Sequence, residues 1–301
     1  MTTTSPTLPQ KRPQWTTPIE APPMKWGGLI ARHLDSVRDA AQELPYDDDS
    51  RFIFLSDFHR GDGGPTDRFA PNAPLALHIL EHYYERGFTY IEVGDGDELW
   101  ENARFEDIRR AHAPFFGWLH RFAERDRLHI IFGNHDVQGL RHRAADKDGL
   151  PVVEALNLRH RHTGQRVLVT HGHQADLKSH ILIPVSRFVV RHLWGLIQKW
   201  NLSYVKWWFS RKRPSKAIDR QLMTWAGSRQ QVTICGHTHR PAAGYDTAPY
   251  FNTGSGVRPG HITGLELHQG ALTLVRWIGS PANNTIRREL VAPARTLHAF
   301  A

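Results

Sequence analysis

Cysteine is almost absent from this chain: Cys235 is the single cysteine among 301 residues. One thiol cannot form an intrachain disulfide, and it excludes a zinc site built from several thiolates. A lone cysteine is compatible with a reducing compartment. We therefore expect a cytoplasmic protein, with peripheral attachment to the inner face of the membrane as an open alternative.

Long hydrophobic runs are missing as well. No stretch reaches the roughly 18 uncharged apolar residues that a membrane-spanning helix requires. Residues 1–28 carry threonine, proline and scattered charge without an apolar core segment, so we expect them to be neither a signal peptide nor a membrane span. We expect this N-terminal segment to be disordered.

Acidic residues are missing from one segment, residues 177–218, which is rich in lysine, arginine, tryptophan and phenylalanine. This basic insertion supplies much of the formal charge of +8 and favours a polyanionic partner. We expect it to be helical, and three interpretations stay open: a cap on the rest of the protein, an interfacial helix pair on an anionic membrane, or a nucleic-acid surface. The aliphatic runs at 181–183 and 188–190 favour lipid over nucleic acid.

Predicted strands and helices alternate along the rest of the chain. Apolar spacing predicts helices over residues 29–44, 75–86 and 107–125, and a β-hairpin joins residues 261–267 to 271–278. The order of elements indicates an α/β protein in which two sheets pack together with helices outside. We predict one domain over residues 29–280, followed by a polar tail over residues 281–301.

Side chains that commonly bind metals follow the ends of five predicted strands. These side chains are Asp57, His59, Asp95, Asn134, His135, His171, His237 and His239. Any one of them alone would be an ordinary turn or rim residue, but chance is a poor explanation for the ordered set. Because side chains alternate along extended backbone, we expect Asp57 and His59 to share one face, and likewise His237 and His239.

These donors are nitrogen and oxygen atoms without thiolates, which suits Mn²⁺ best here, with Fe, Zn or Ni as alternatives, and disfavours Ca²⁺. A carboxylate such as Asp95 can bridge two ions. Two ions about 3.5 to 4 Å apart are a common arrangement for displacement at phosphorus. The sequence therefore predicts two divalent metal ions and a phosphate-ester substrate.

The ordered motifs Asp-x-His, Gly-Asp-x-x-Glu, Gly-Asn-His-Asp, His-Gly-His and Gly-His-Thr-His resemble those of the calcineurin-like metallophosphoesterases over residues 52–256. The resemblance implies a four-layer α/β/β/α sandwich, with a dinuclear metal site between the sheets and a helical insertion. It implies these ligands for one ion: Asp57, His59, Asp95 and His239. It implies these ligands for the other: Asp95, Asn134, His171 and His237. His135 would donate a proton, Asp136 would orient its ring, and Arg240 would neutralise phosphoryl oxygens.

A closer resemblance is to the bacterial UDP-2,3-diacylglucosamine hydrolases, carried by the motifs at residues 94–100 and 236–241. Those hydrolases have arginine where this chain has His135, and the loop over residues 60–68 also departs from theirs. We expect a relative of that group that hydrolyses a phosphodiester or pyrophosphate bond in a lipid-linked or nucleotide-linked substrate. The alternatives are a phosphomonoesterase acting on proteins or small molecules, and a non-catalytic membrane-associated scaffold.

The membrane interpretation predicts a specific effect of charge removal. Replacing Arg211, Lys212 and Arg213 by serine should lower affinity for anionic vesicles about a hundredfold, because each base near the surface contributes about 1 kcal/mol. Co-sedimentation at low and high salt measures this affinity. If the wild type does not sediment with anionic vesicles at low salt, the cap interpretation is preferred.

Overall fold

The computed structural model describes most of the chain between residues 27 and 300. The described ranges are 27–138, 143–144, 147–176, 215–245, 248–280, 282 and 285–300. Almost all of the basic insertion and of the N-terminal segment lies outside them, so the predictions made for those segments stay predictions. Within the described part, no helix is long and apolar enough to cross a membrane.

Sheet I is built around three parallel strands. Strand β2 (Phe52–Leu55), whose four residues are all buried, pairs with β3 (Thr89–Val93), and β3 pairs with β4 (Leu128–Ile131). The other strands of this sheet are β7 (Val152–Val153), β13 (His261–His268), β14 (Ala271–Ile278), β15 (Arg287–Leu290) and β16 (Arg295–Thr296). Their order is β15-β14-β13-β2-β3-β4-β7, with β16 on the edge of β14.

Sheet II has six strands: β1 (Gln42–Tyr46), β8 (Ala155–His160), β9 (Arg166–Thr170), β10 (Val232–Cys235), β11 (Ala242–Tyr245) and β12 (Ala248–Asn252). Their order in the sheet is β1-β8-β9-β10-β12-β11. Strand β10 runs parallel to both β9 and β12. A separate pair is formed by β5 (Val137–Gln138) and β6 (Arg143–Ala144).

Helices cover the outer faces of both sheets. They are α1 (Gly27–Ala40), α2 (Ala73–Glu85), α3 (Phe105–Ala111), α4 (Ala113–Ala123) and α5 (Ser215–Arg229). Helices α2, α3 and α4 pack on sheet I, and α1 and α5 pack on sheet II. A third apolar core between the sheets includes Phe54, Ile91, Val169 and Ile234, all fully buried. Burying each such side chain stabilises the fold by about 1.5 to 3 kcal/mol. The predicted four-layer α/β/β/α sandwich is confirmed.

Two predicted helices differ from the structure for reasons that involve proline. The first helix ends at Ala40, and residues 42–46 form β1, an edge strand, where Pro45 is tolerated because one side of the strand has no partner. The helix predicted over residues 107–125 is two helices separated at His112, with Pro114 in the first turn of α4.

The C-terminal part of the chain contributes to sheet I. The predicted hairpin is confirmed as β13 and β14, and its turn residues Gln269 and Gly270 both have the positive φ of a tight two-residue turn. Strands β15 and β16, within the segment for which the sequence predicted no element, extend the sheet by pairing with β14. Their short, largely exposed and charged sequences gave no alternating apolar pattern.

Candidate metal centre

The predicted metal-binding residues meet where five strands end, three from sheet I and two from sheet II. Backbone hydrogen bonds join the loops after β2 and β3: the Asp57 N–H donates to the Gly94 carbonyl (3.0 Å), and the His59 N–H donates to the Asp95 carbonyl (2.9 Å). Between the sheets, the His237 N–H donates to Asp57 Oδ2 at 3.0 Å. The packing of the sheets thus brings distant motifs into one site.

Several of these residues have left-handed backbone. The φ angles are 53° at Asp57, 47° at His59, 51° at Asp95, 65° at His237 and 55° at His239. The extended backbone that we predicted for the two His-containing pairs is therefore corrected, although their side chains do reach a common site. Left-handed backbone costs about 1 to 2 kcal/mol at a non-glycine residue and concentrates at functional sites.

One group of donors consists of Asp57, His59 and His239, whose ligand atoms lie within 4.8 Å of one another. His239 Nε2 lies 3.1 Å from Asp57 Oδ1 and 3.3 Å from His59 Nε2. Asp57 is fully buried, and its Oδ1 has no hydrogen-bond partner in the described part of the chain. A buried carboxylate oxygen without such a partner fits a metal ligand.

A second group consists of Asp95, His171 and His237, again with ligand atoms within 4.8 Å of one another. His171 Nε2 lies 3.1 Å from Asp95 Oδ2. Two further buried atoms, His171 Nε2 and Asn134 Oδ1, have no hydrogen-bond partner among the described residues. These nitrogen and oxygen donors fit a second divalent ion.

Asp95 lies between the two groups. Its Oδ2 is 3.7 Å from His59 Nε2 and 3.1 Å from His171 Nε2, while its Oδ1 accepts a hydrogen bond from the His135 N–H at 2.8 Å. Burial raises the pKa of this carboxyl, but the nearby histidines His171 and His135 outweigh burial and hold the pKa well below its usual value. The carboxylate therefore stays ionised and can be shared by two ions.

Hydrogen bonds at Nδ1 orient two of the imidazoles. His171 Nδ1 donates to the Val93 carbonyl at 2.8 Å, and His59 Nδ1 lies 2.7 Å from Glu98 Oε2. A ring whose Nδ1 carries the hydrogen presents the lone pair of Nε2, as metal binding requires. In both residues Nε2 is the nitrogen that faces Asp95.

Glu98 also holds His135. Its Oε1 lies 2.7 Å from His135 Nδ1, and Trp100 stacks on the ring with centroids 4.1 Å apart. Burial disfavours the charged imidazole, but Glu98 and Asp95 raise the pKa of His135 to about 9. A fixed, protonated imidazole beside the donors suits a proton donor.

Asp136, to which we had given the role of orienting His135, makes its contacts elsewhere. Its carboxylate accepts hydrogen bonds from the N–H groups of Asp97 and Gly133, both at 2.8 Å, and from the Lys147 ammonium at 2.7 Å. The orienting contact is therefore made by Glu98, and Asp136 instead ties together the loops after β3 and β4.

A fully buried ionic network lies beside the site. The Arg60 guanidinium donates to both oxygens of Glu92 (2.7 and 2.8 Å) and to Asp97 (2.7 Å), and Lys147 pairs with Asp97 and Asp136. This network links the loops after β2, β3 and β4. Removing one partner from such a network leaves a buried unpaired charge, which typically costs about 3 to 5 kcal/mol.

Asp219, on helix α5, fixes the side chain of Arg240. Arg240 Nε donates to Asp219 Oδ2 at 2.8 Å, and Asp219 Oδ1 accepts hydrogen bonds from the hydroxyls of Thr238 (2.7 Å) and Tyr250 (3.0 Å). Asp219 therefore fixes the loop that carries His237 and His239. The contact of Arg240 with phosphate stays a prediction.

Sequence reasoning assigned no role to Glu98, Lys147 or Asp219. Glu98 could have been found, because it is the acidic residue that closes the Gly-Asp-x-x-Glu motif. Lys147 and Asp219 lie outside every motif, and only the fold brings them to the site.

Two motif glycines are required by close approach. A Cβ atom at Gly236 would lie 2.6 Å from Asp57 Oδ2, and one at Gly133 would clash with Asp95 Oδ1. Both contacts would be shorter than real Cβ atoms make with non-bonded atoms. The glycines therefore allow the loops to pack directly against the two candidate ligand carboxylates.

The structure is a sandwich of two sheets with a buried cluster of histidine and carboxylate donors at its strand ends, an arrangement that can hold metal ions. The chain belongs to the calcineurin-like phosphoesterase superfamily: residues 51–274 match the calcineurin-like phosphoesterase superfamily domain. The broader of the two resemblances is thereby confirmed. Comparison with curated protein sequences gives no significant match.

Several solved structures are similar to this chain. Vps29 from Cryptosporidium parvum shares 10% identity with a TM-score of 0.41, covering 83% of this chain and 100% of its own. Vps29 from Entamoeba histolytica (D62A mutant) shares 13% identity with a TM-score of 0.39, covering 80% and 98%. The cold-active protein-tyrosine phosphatase of a psychrophilic Shewanella shares 15% identity with a TM-score of 0.39, covering 94% and 89%. At these TM-scores the similarities carry no argument about activity.

Glu98→Gln tests the double contact of Glu98 with His59 and His135. A glutamine offers only one acceptor oxygen, so one imidazole loses its partner, and we expect activity or metal affinity to fall about 10- to 100-fold. Glu101→Gln is the matched control, because Glu101 pairs with Arg68 instead of a histidine. Thermal unfolding checks that both variants fold. Full activity in folded Glu98→Gln would contradict this assignment.

Proposed function

We propose that this protein is a dinuclear metal-dependent phosphoesterase that hydrolyses a phosphodiester or pyrophosphate bond. The observation that carries the proposal is the position of Asp95, whose Oδ2 faces His59 on one side and His171 on the other. Family membership supports metal-dependent hydrolysis of a phosphate ester. The two-ion arrangement and the bond type are our proposals.

The described residues offer a donor set for each ion. Asp57, His59, His239 and Asp95 would hold one ion; Asp95, Asn134, His171 and His237 would hold the other. When bound, two divalent ions would activate water and neutralise charge on the phosphate. We propose Mn²⁺ as the preferred ion, with Fe, Zn or Ni as alternatives, because all donors are imidazole nitrogens and carboxylate or amide oxygens.

The chain itself would supply the proton for the leaving group. His135 is held by Glu98 through Nδ1, which leaves Nε2 to donate a proton to the departing oxygen. Asp95 fixes the backbone of His135 by accepting its N–H. Arg240, anchored at Nε by Asp219, keeps its terminal nitrogens for a phosphoryl oxygen.

Two sequence motifs support one class of substrate within this proposal. The motifs at residues 94–100 and 236–241 support a lipid-linked or nucleotide-linked substrate like that of the UDP-2,3-diacylglucosamine hydrolases. We also propose that residues 177–218 contact an anionic membrane surface. A panel of bis-p-nitrophenyl phosphate, p-nitrophenyl phosphate, UDP-diacylglucosamine and cyclic nucleotides with added Mn²⁺ separates diesterase, monoesterase and pyrophosphatase activity. A non-catalytic scaffold would hydrolyse none of them.

Asp95→Asn tests the shared carboxylate. The amide lacks the negative charge that two ions would share, so we expect turnover to be lost together with at least one metal ion per chain. Metal analysis by mass spectrometry and hydrolysis of bis-p-nitrophenyl phosphate measure the two effects. Asp62→Asn, in an exposed loop, is the control and should behave as wild type. Two ions and normal activity in Asp95→Asn would refute the bridge.

His135→Ala tests the proton donor. For substrates with poor leaving groups we expect the rate to fall by roughly 10² to 10⁴, because the leaving oxygen must be protonated. A p-nitrophenyl ester should lose much less, since p-nitrophenolate leaves without a proton. His162→Ala, an exposed residue in the turn before β9, serves as the control. Equal losses for both substrate types would mean that His135 only positions the phosphate.

A further inference from the structure

Arg258 lies at the rim of the candidate metal centre. Its Nη2 donates to the carbonyl of His239, one of the candidate ligands, at 3.2 Å. Its side chain is exposed, and among the described residues no carboxylate lies within ion-pair distance of it. Its neighbour Arg240, by contrast, is paired with Asp219. Within the described part of the chain, the positive charge of Arg258 next to the site therefore has no carboxylate partner.

The loop that carries Arg258 is fixed by a buried amide. Asn72, only 1% exposed, donates to the carbonyls of Gly256 (2.6 Å) and Arg258 (2.7 Å) and accepts from the Gly260 N–H (2.9 Å). The Gly256 N–H in turn donates to the carbonyl of Asp57 at 3.2 Å. The backbone of Arg258 is therefore held in a fixed position relative to the donors.

These contacts leave little structural need for the guanidinium. The loop is already tied down through Asn72 and through the backbone of Gly256, so the single bond from Arg258 to His239 is not required to hold it. That bond uses one of the five donor hydrogens of arginine. The remaining donors form a planar fork whose geometry matches a phosphate group.

We propose that Arg258 is a substrate-binding residue that takes the non-reacting phosphate of a pyrophosphate diester. The inference rests on the proposed function and narrows its substrate class. A simple phosphodiester has a single negative charge, which the ions at the reacting phosphate would neutralise. A pyrophosphate diester has a second charged phosphate beside the first, and an unpaired arginine at the rim is suited to bind it.

The test compares two ligands that differ in the number of phosphates: UDP-glucose, with two, and thymidine 5′-p-nitrophenyl phosphate, with one. Kd is measured by isothermal titration calorimetry on the manganese-loaded full chain, and KM and kcat are measured for whichever ligand is cleaved. Arg258→Gln should raise Kd for UDP-glucose about tenfold, which corresponds to about 1.4 kcal/mol, and leave the other ligand within about twofold. Arg258→Lys should restore part of the loss, because lysine keeps the charge without the fork.

Arg125→Gln is the matched control. Arg125 is exposed and precedes β4, at the end of the strand opposite the site, so the same loss of charge there should change neither Kd. The proposal is overturned if Arg258→Gln raises Kd equally for both ligands or for neither. It is also overturned if the wild type binds UDP-glucose no more tightly than thymidine 5′-p-nitrophenyl phosphate. Selective weakening without hydrolysis of any ester would support Arg258 and refute the proposed function instead.

Discussion

The site depends on one carboxylate, Asp95, which belongs to the second donor group and also faces His59 of the first. Asp95 stands at the end of a central strand of sheet I, yet the imidazole that faces its Oδ2 at 3.1 Å, that of His171, comes from sheet II. A buried carboxylate needs neighbouring imidazoles and N–H donors to offset its desolvation. At Asp95 the imidazoles of His171 and His135 hold the pKa well below its usual value despite burial. The left-handed backbone of the surrounding loops and the close approach of Gly133 follow from the same need to bring both sheets to this one group.

Around this carboxylate, charge is arranged in two layers. The inner layer consists of the candidate ligands, and among the described residues Asp57 Oδ1, Asn134 Oδ1 and His171 Nε2 have no hydrogen-bond partner, which suits ion binding. The outer layer is fully paired: Arg60 with Glu92 and Asp97, and Lys147 with Asp97 and Asp136. A paired outer layer fixes the loops without competing for the inner donors. The left-handed backbone of the inner loops costs free energy, and the ion pairs of the outer layer, which include no candidate metal ligand, offset that cost.

The two arginines at the rim of the site differ in how their positive charge is paired, and the proposed substrate preference rests on this difference. Arg240 is anchored by Asp219 on α5, the helix that begins in the last residues of the basic insertion. Arg258 is instead fixed through its backbone, and no carboxylate of the described residues lies within ion-pair distance of it. The two arginines flank His239 from different loops. The substrate's second anionic group, more than the reacting phosphate, would then decide which esters bind well.

The sequence determined the strands that end in the site and marked the candidate ligands, because buried apolar strands followed by histidine and aspartate leave a strong local pattern. The four-layer class followed from the resemblance of the ordered motifs to the calcineurin-like family. The sequence could not determine that Asp57 and His59 converge through left-handed backbone, or that Glu98 and not Asp136 would hold His135, since both depend on how neighbouring loops pack. Lys147 and Asp219 carried no local signal at all. Their contacts, like the position of Arg258 beside His239, were decided only by the tertiary structure, which brought each of these residues next to residues far away in the chain.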